Sequence, residues 1–325
     1  MKLLSDLPLP IEKYKQFQSE GWDSTHFLSV ITLSELLEYF GMVNESLSTK
    51  QESEETLQKI KTKQFVVENP KPFIRNNIWS LSTGIQSIDT ILDRNGLPSS
   101  EITLFYGKFR SGKSQIAHQC CVQTYIQYKH FPSQKIALFI DTESTFRPER
   151  ICQMSEFHGL PVDDVLTKIM VIKISALSEF ELLLKKIDEL ITQMGIKFIA
   201  IDSFINHYRV ELAKNTASPN KIVEKLGSHL EILSACAKSH NIPILCTSQV
   251  TAAMSKTYFF NIIPVLATTL NIYIKNWIML AEDEIITAMP ENAGRRVAHV
   301  INSQTKKEQN AQFIITEHGL ETYFG

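Results

Sequence analysis

At residues 107–114 the chain reads Gly107-Lys108-Phe109-Arg110-Ser111-Gly112-Lys113-Ser114, a GxxxxGKS pattern directly after the apolar run 102–106. The stretch 115–128 that follows is predicted to form a helix. This strand-loop-helix order is typical of a phosphate-binding loop, in which glycines allow backbone N–H groups to surround phosphates. The lysine brings a positive charge to the β- and γ-phosphates, and the last serine binds Mg²⁺. We therefore predict that residues 107–114, with Gln115, bind a nucleotide.

Apolar runs and amphipathic stretches alternate through most of the chain. The predicted strands are 101–106, 135–141, 169–174, 196–202 and 242–249, and the helices between them are 115–128, 148–158, 178–194 and 219–240. Continuous apolar strands alternating with helices are typical of a mainly parallel sheet that is covered on both faces. Three more strands, at 268–280, 295–302 and 312–316, are predicted to close one edge. The fold class is therefore α/β, with a P-loop ATPase core.

The N-terminal part differs in composition from the predicted core. Residues 1–64 combine short helix-like segments with a charge-rich run, and they predict a small helical module. Residues 65–80 contain Pro70 and Pro72, which interrupt regular helix, and they predict a linker. The ATPase core is predicted to span residues 81–325.

The composition argues against several classes of protein. Of the 325 residues, 43% are hydrophobic and 21% are charged, and the net charge of −2 does not suit a uniformly basic nucleic-acid binder. The five cysteines have neither CxxC nor metal-ligand spacing, which favours a reducing compartment. No signal segment is recognisable, and no apolar run reaches the ~18 residues of a membrane span. We expect an intracellular soluble protein with no membrane partner.

Polar side chains end three of the predicted strands. A nucleotide with Mg²⁺ needs a carboxylate near the loop serine, and Asp202 follows the apolar run 198–201. Glu143 is a candidate base for the water that attacks the γ-phosphate, and the alternative is an acid that caps the next helix. Gln249 either senses the γ-phosphate or is an ordinary polar residue at a strand end.

Several motifs occur together in one order: Leu81-Ser-Thr-Gly84, the loop 107–114, Asp141-Thr-Glu-Ser-Thr-Phe-Arg-Pro-Glu-Arg150, Asp202-Ser203 and Ser248-Gln249. From about residue 65 to its end, the chain thereby resembles the RecA-like recombinases of eukaryotes and archaea. The resemblance implies ATP and Mg²⁺ as cofactors, with Lys113 and Ser114 on phosphate and metal. It also implies Asp202 in the water shell of the metal, Glu143 on the attacking water and Arg150 against the adenine. Gln249 would connect the γ-phosphate to a DNA-binding loop.

The chain departs from the strand-exchange enzymes of that family at four places. Ser144 stands where they have glycine, and the first DNA loop, 213–220, has Lys214 and no arginine. The second loop, 250–265, has no glycine, and residues 302–308 replace a cap that carries aspartate and proline. Such drift resembles the recombinase paralogues, which assist the main recombinase in homologous recombination.

The resemblance to paralogues implies a nuclear DNA-repair protein, in mitotic or meiotic cells. Its implied partners are single-stranded DNA, another paralogue and the main strand-exchange recombinase. Two functions stay open: a DNA-stimulated ATPase in a mediator complex, and a scaffold that bound nucleotide stabilises with little turnover. An autonomous strand-exchange enzyme is a third alternative.

Basic and aromatic side chains supply the candidate DNA contacts, which are Lys214, Lys256, Tyr258, Phe259, Arg295 and Arg296. Cations give salt-sensitive binding to phosphates, and aromatic rings stack on bases. For residues 258–263, the alternative is an apolar patch that is buried or faces a partner.

The linker contains the segment Phe65-Val66-Val67-Glu68. It resembles the Phe-x-x-Ala segment through which the filament formers of the family dock into a neighbouring subunit. Phe65 retains the aromatic anchor, whereas Glu68 places a carboxylate where a methyl group is normally buried. We predict that Phe65 and Glu68 contact a different protein that carries a basic group. The alternative is that Phe65 packs on its own domain.

Overall fold

Strands and helices alternate along the described part of the chain. The computed structural model describes residues 78–130, 133–214, 218–252, 262–282, 294–303 and 309–323. The strands are β1 (Ser80–Leu81), β2 (Leu97–Pro98), β3 (Ile102–Gly107), β4 (Ala137–Asp141), β5 (Ile169–Lys173), β6 (Phe198–Asp202), β7 (Ile244–Ser248), β8 (Val250–Ala252), β9 (Ile262–Pro264), β10 (Asn276–Glu282), β11 (Arg295–Asn302), β12 (Asn310–Thr316) and β13 (Gly319–Thr322). The helices are α1 (Gln86–Ile91), α2 (Lys113–Tyr128), α3 (Pro148–Phe157), α4 (Val162–Lys168), α5 (Leu177–Met194), α6 (Asn206–Lys214), α7 (Pro219–His240) and α8 (Ala267–Tyr273).

One nine-stranded sheet forms the centre of this unit, with the strand order β13-β12-β11-β10-β3-β7-β6-β4-β5. The strands from β10 to β5 are parallel to their neighbours. The strands β11, β12 and β13 run antiparallel at one edge. The prediction of an α/β fold with a mainly parallel sheet is therefore confirmed. None of the helices in these ranges is long and apolar enough to cross a lipid bilayer.

Each face of the sheet has its own apolar core. Phe139 and Phe198 lie in the core that includes residues of α1 to α4, whereas Ile140 and Ile201 lie in the core that includes residues of α5 to α8. Successive residues of a strand point to opposite faces, so a strand that is covered on both sides must be apolar throughout. This burial on both faces explains why the central strands are unbroken apolar runs in the sequence.

The predicted strand 268–280 is wrong in its first half. Residues 267–273 form helix α8, and the strand β10 begins only at Asn276. Leu270 and Ile274 are four residues apart and both are fully buried, which is the spacing of one helix face. Packing of α8 against α7 thus overrides the β-propensity of the threonines and isoleucines in this segment.

Two short helices are absent from the sequence prediction. Helix α4 has seven residues and α6 has nine, which is too short for a clear helical pattern of apolar residues. The predicted module 1–64 and the predicted linker up to residue 77 lie outside the described residues. The described ranges belong to the second of the two units of the chain, Asn77–Gly325, and the predicted domain boundaries stay predictions.

The parallel sheet brings the ends of four strands to one edge. Gly107 ends β3, Asp141 ends β4, Asp202 ends β6 and Ser248 ends β7. The register pairs Asp141 with Asp202, and Tyr106 with Ser248. Ligands of open α/β sheets bind at the carboxyl ends of the strands. The polar residues that the sequence places after separate strands therefore meet at one site.

Candidate nucleotide-binding site

The loop between β3 and α2 depends on its two glycines. Gly112 has a φ of 104°, in the left-handed region that favours glycine. A Cβ atom on Gly107 would collide with the carbonyl oxygen of Leu280 on the neighbouring strand β10. The backbone geometry therefore requires glycine at both fixed positions of the motif.

Lys113 is held inside this loop by carbonyl oxygens. Its Nζ atom donates to the oxygens of Gly107 (2.9 Å) and Lys108 (2.7 Å). Burial lowers the pKa of Lys113, while the carboxylates of Asp202 and Glu143 act in the opposite direction. The loop thus holds a partly desolvated cation, which favours an anionic ligand.

The phosphate loop lines a cleft with a volume of about 340 Å³. The side chains that the sequence places after β4, β6 and β7 lie in the same cleft: Glu143, Asp202 and Gln249. From the loop itself, the lining includes Gly107, Lys108, Phe109, Arg110, Gly112, Lys113, Ser114 and Gln115. Of the predicted nucleotide residues, Ser111 and Arg150 lie outside this lining. The structure therefore brings most of the predicted site together from four separate parts of the sequence.

Asp202 is buried and accepts hydrogen bonds on both carboxylate oxygens. Thr145 Oγ1 donates to Oδ2 (2.8 Å), and Thr247 Oγ1 donates to Oδ1. No group of three or more His, Cys, Asp or Glu side chains that could hold a metal occurs within the described ranges. Mg²⁺ that arrives with a nucleotide needs only one or two protein ligands, because phosphates and waters complete its octahedron. Ser114 and Asp202, which share one cleft, fit that requirement.

The carboxylate of Glu143 belongs to the cleft and does not cap a helix. Its Oε1 atom accepts hydrogen bonds from Ser203 Oγ (2.7 Å) and from Gln249 Nε2 (3.0 Å). The N-cap of α3 is Arg147, and that helix has no side-chain cap. The alternative of Glu143 as a capping acid therefore does not fit the structure.

Asp141 shapes the turn that presents Glu143, a role that the sequence reasoning missed. Its carboxylate accepts from the backbone N–H groups of Glu143 (3.2 Å), Thr145 (3.0 Å) and Phe146 (3.1 Å). An aspartate that accepts from backbone groups two or more residues ahead is a common turn device. The position of Asp141, at a strand end and before a polar turn, is the signal that would have indicated it.

The family model described as Rad51 matches residues 74–323. The chain belongs to the Rad51 family. Similar curated proteins include the "DNA repair and recombination protein RadA" of Methanococcus maripaludis (strain DSM 14266), which is 37% identical over 196 residues. The protein of the same name from Methanococcus voltae is 36% identical over 189 residues.

These alignments cover 57% and 55% of this chain, and 60% and 58% of the relatives. The chain therefore spans about 60% of the length of the curated relatives it matches. Membership of the Rad51 family confirms the resemblance to RecA-like recombinases that the motifs indicate.

Ser144, where the strand-exchange enzymes of the family have glycine, adopts a left-handed conformation with a φ of 56°. This conformation disfavours residues that carry a Cβ atom. We expect Ser144→Gly to raise the free energy of unfolding by about 0.5–1 kcal/mol, because glycine removes the strain at some cost in chain entropy. Chemical denaturation measures the change. Ser144→Ala, which keeps the Cβ atom, is expected to be close to neutral, and a gain in that control would contradict the argument.

His118 joins the start of α2 to the turn after β4, a second role that the sequence analysis did not predict. The backbone N–H of Arg147 donates to Nε2 (2.9 Å), so the ring proton is on Nδ1, which donates to the oxygen of Ser114 (2.6 Å). The ring stacks on Phe146 with centroids 5.0 Å apart. Burial lowers the pKa of His118. The neutral ring therefore helps to fix the phosphate loop against the turn that carries Glu143.

This placement of His118 predicts a loss of stability in acid. Because the pKa in the folded state lies below the unfolded value of about 6.5, the unfolded chain takes up the proton first as the pH falls below that value. One such group lowers the free energy of unfolding by up to about 1.4 kcal/mol for each pH unit. We expect His118→Asn to reduce the difference in unfolding free energy between about pH 7.5 and about pH 5.5. His130→Asn, at an exposed position just beyond α2, is the matched control for the loss of a histidine.

Arg150 lies beside the site rather than in the cleft. Its guanidinium donates to Gln115 Oε1 (2.8 Å) and to the carbonyl oxygens of Glu317 (2.8 Å) and Thr316 (3.1 Å). These bonds join α3 to the start of α2 and to the turn between β12 and β13. The role of Arg150 against an adenine stays a prediction.

The predicted DNA-binding arginines are not free surface cations. Arg295 is only 8% exposed, stacks 3.7 Å from the centroid of the Tyr323 ring and donates to Gln312 Oε1 (3.0 Å). The side chain of Arg296 is 12% exposed and pairs with Glu282 (3.2 Å). A DNA contact at Arg295 does not fit this placement, because its charge is enclosed by the antiparallel edge of the sheet. Arg296 would have to break its ion pair to reach a phosphate.

Among the predicted DNA contacts that the structure describes, Lys214 is largely exposed to solvent. It ends α6, its side chain is 65% exposed, and its Nζ lies 3.4 Å from Glu211 Oε1. Strands β8 and β9 lie within the two ends of the predicted second DNA loop, 250–265, and pair with each other as an antiparallel hairpin. Lys256, Tyr258 and Phe259 in that loop, and Phe65 and Glu68 in the linker, lie outside the described residues.

Proposed function

We propose that this chain is an ATPase that acts in homologous-recombination DNA repair as a recombinase paralogue. The observation that supports the proposal most directly is the single cleft that Lys113, Ser114, Asp202, Glu143 and Gln249 share. Membership of the Rad51 family and the names of the RadA relatives support the link to repair and recombination. The proposed partners are single-stranded DNA, another paralogue and the main strand-exchange recombinase, and the proposed location is the nucleus.

In the proposed reaction, Lys113 binds the β- and γ-phosphates of ATP, and Ser114 and Asp202 would hold Mg²⁺. When bound, the metal would supply positive charge that neutralises the phosphate oxygens. Glu143 takes the proton of the water that attacks the γ-phosphate. Ser203 and Gln249, which both donate to Glu143 Oε1, orient that carboxylate toward its task. Thr145 and Thr247 do the same for Asp202.

A scaffold that bound nucleotide stabilises is the second candidate function. The burial of Arg295 and the ion pair of Arg296 favour it, because two of the predicted DNA contacts are then not free to bind phosphates. Under this alternative, ATP binding joins subunits and hydrolysis is incidental. Autonomous strand exchange has less support for the same reason.

A single-turnover ATPase assay on the purified protein distinguishes these functions. The assay is run with and without single-stranded DNA, and with and without a candidate paralogue partner. An ATPase function predicts hydrolysis that DNA or the partner accelerates. Tight ATP binding without hydrolysis in all conditions would favour the scaffold. Absence of ATP binding would contradict both.

DNA binding by the isolated chain is proposed to be weak and sensitive to salt. Lys214 and Lys256 supply the charge, and Tyr258 and Phe259 supply surfaces for base stacking. A fluorescence titration with labelled single-stranded DNA at increasing salt measures the effect. Tight binding that ignores salt would contradict the electrostatic part of this proposal.

The partner proposal leads to a test at Phe65. We expect Phe65→Glu to weaken a heteromeric complex at least about 30-fold, because a buried aromatic anchor often contributes 2 kcal/mol or more to an interface. Nucleotide binding should be unchanged. Co-purification of the two proteins measures the complex. Phe73→Glu, in the same predicted linker, is the control in that assay. Long regular homopolymers of the purified protein on single-stranded DNA with ATP would argue against docking into a different protein.

A further inference from the structure

We infer that Arg209 is a positioning residue, which orients Gln249 and through it Glu143. The inference deepens the proposed ATPase function and rests on it. Arg209 lies on α6, ahead of the predicted first DNA loop, and Gln249 immediately precedes β8, ahead of the predicted second loop. One hydrogen bond, from Arg209 Nη1 to Gln249 Oε1, joins these two parts of the molecule.

The start of α6 is fixed to the ends of two central strands. Asn206 Nδ2 donates to the oxygen of Thr142 (2.9 Å), just beyond β4. His207 Nε2 donates to the oxygen of Ile174 (2.9 Å), just beyond β5. Tyr208 is buried in the core, and its hydroxyl bonds to His229 on α7. Three successive residues therefore anchor the turn of α6 that precedes Arg209. These contacts fix the backbone position from which the Arg209 side chain extends.

The guanidinium of Arg209 decides which way the Gln249 amide faces. A guanidinium can only donate hydrogen bonds, so the carbonyl end of the amide must face it. The amino end then faces Glu143, and Nε2 donates to Oε1 at 3.0 Å. In the opposite orientation, the amide oxygen would meet a carboxylate oxygen, and two acceptors repel each other. Arg209 thus selects the orientation in which Gln249 can hold Glu143.

This bond is better suited to orientation than to stability. Arg209 is exposed, and a solvent-exposed polar contact contributes little to folding. A small error in the placement of a catalytic group nevertheless lowers the rate strongly. Gln249 also accepts, on its backbone oxygen, the N–H of Val265 at 3.3 Å across the β8–β9 hairpin. The orientation of Gln249 therefore depends on α6, which precedes the predicted first DNA loop, and on the β8–β9 hairpin of the predicted second loop.

The test is a double-mutant cycle in the single-turnover ATPase assay of the full chain. Arg209→Met and Gln249→Met each remove one partner and keep an unbranched side chain of similar length. We expect each to slow hydrolysis about tenfold, with an ATP concentration dependence within about twofold of wild type. The double variant should be no slower than Gln249→Met alone, because residues that act as a unit are not additive. Arg209→Lys, which keeps a donor, should recover part of the rate.

Lys185→Met is the matched control, since it removes one positive charge from an exposed position on α5. An unchanged rate in Arg209→Met, or losses that multiply in the double variant, would overturn the inference while the proposed function stands. A wild-type chain that hydrolyses no ATP would overturn the proposed ATPase and the inference together. Equal melting temperatures of the variants verify that the folded state is compared in each case.

Discussion

Lys113→Ala is expected to weaken ATP binding at least about 100-fold, or about 3 kcal/mol, the largest effect on affinity predicted for this chain. The Nζ atom lies in the phosphate loop within 2.9 Å of the Gly107 oxygen and 2.7 Å of the Lys108 oxygen, in the cleft that also contains Asp202 and Glu143. Removing the ammonium takes away the cation that the loop carbonyls hold in the cleft, while the two carboxylates remain. A phosphate at this position would then lose its attraction to Lys113 and still be repelled by Asp202 and Glu143.

The Lys113→Ala variant should fold as well as wild type in the absence of nucleotide. Burial lowers the pKa of this lysine, which means that the folded state already bears a cost for the charged form. Isothermal titration gives the affinity, and the rise in melting temperature on adding ATP gives an independent measure. Lys129→Ala, at the C-cap of α2, is the control for loss of a lysine at the opposite end of the helix. Unchanged affinity in Lys113→Ala would refute the assignment of the site.

Glu143→Gln is expected to slow ATP hydrolysis about 10²–10³-fold and to leave ATP affinity within about threefold of wild type. Both hydrogen bonds to the carboxylate, from Ser203 and from Gln249, end on the same oxygen, Oε1. The oxygen of a glutamine amide can accept both, so the substitution preserves these contacts. It removes only the ability to take up a proton from water, because an amide is not a base near neutral pH.

A single-turnover measurement separates this loss of chemistry from any change in binding. Glu156→Gln, at an exposed position near the end of α3 and outside the lining of the cleft, is the control for loss of a carboxylate. If Glu143→Gln hydrolysed ATP at the wild-type rate, the base would have to be another group. If the variant lost ATP binding instead, the role of Glu143 would be electrostatic or structural.

The sequence alone was sufficient to predict the phosphate loop and the class of fold. Both depend on short-range patterns: a loop motif of eight residues, and strands that are apolar because both faces of the sheet are covered. Asp202, Glu143 and Gln249 are candidate site residues by the same logic, since parallel strands end at one edge. The roles of Glu143 and Gln249, for which the pattern left alternatives open, came from the resemblance to the recombinases. These patterns can be recognised in the sequence because they depend on local geometry and on burial, which are determined within each segment.

The tertiary structure decided which hydrogen bonds those residues form and which of the predicted DNA-binding cations reach solvent. The periodicity of a strand indicates that residues alternate between two faces, but not what covers each face, so the burial of Arg295 against Tyr323 could not be derived. For the same reason the helix α8 could not be distinguished from a strand before its packing against α7 was known. The contacts of Glu143 and Asp202 join residues 45 to 106 positions apart in the chain. Such pairs are created by the strand order of the sheet, a property of the whole fold that no local segment contains.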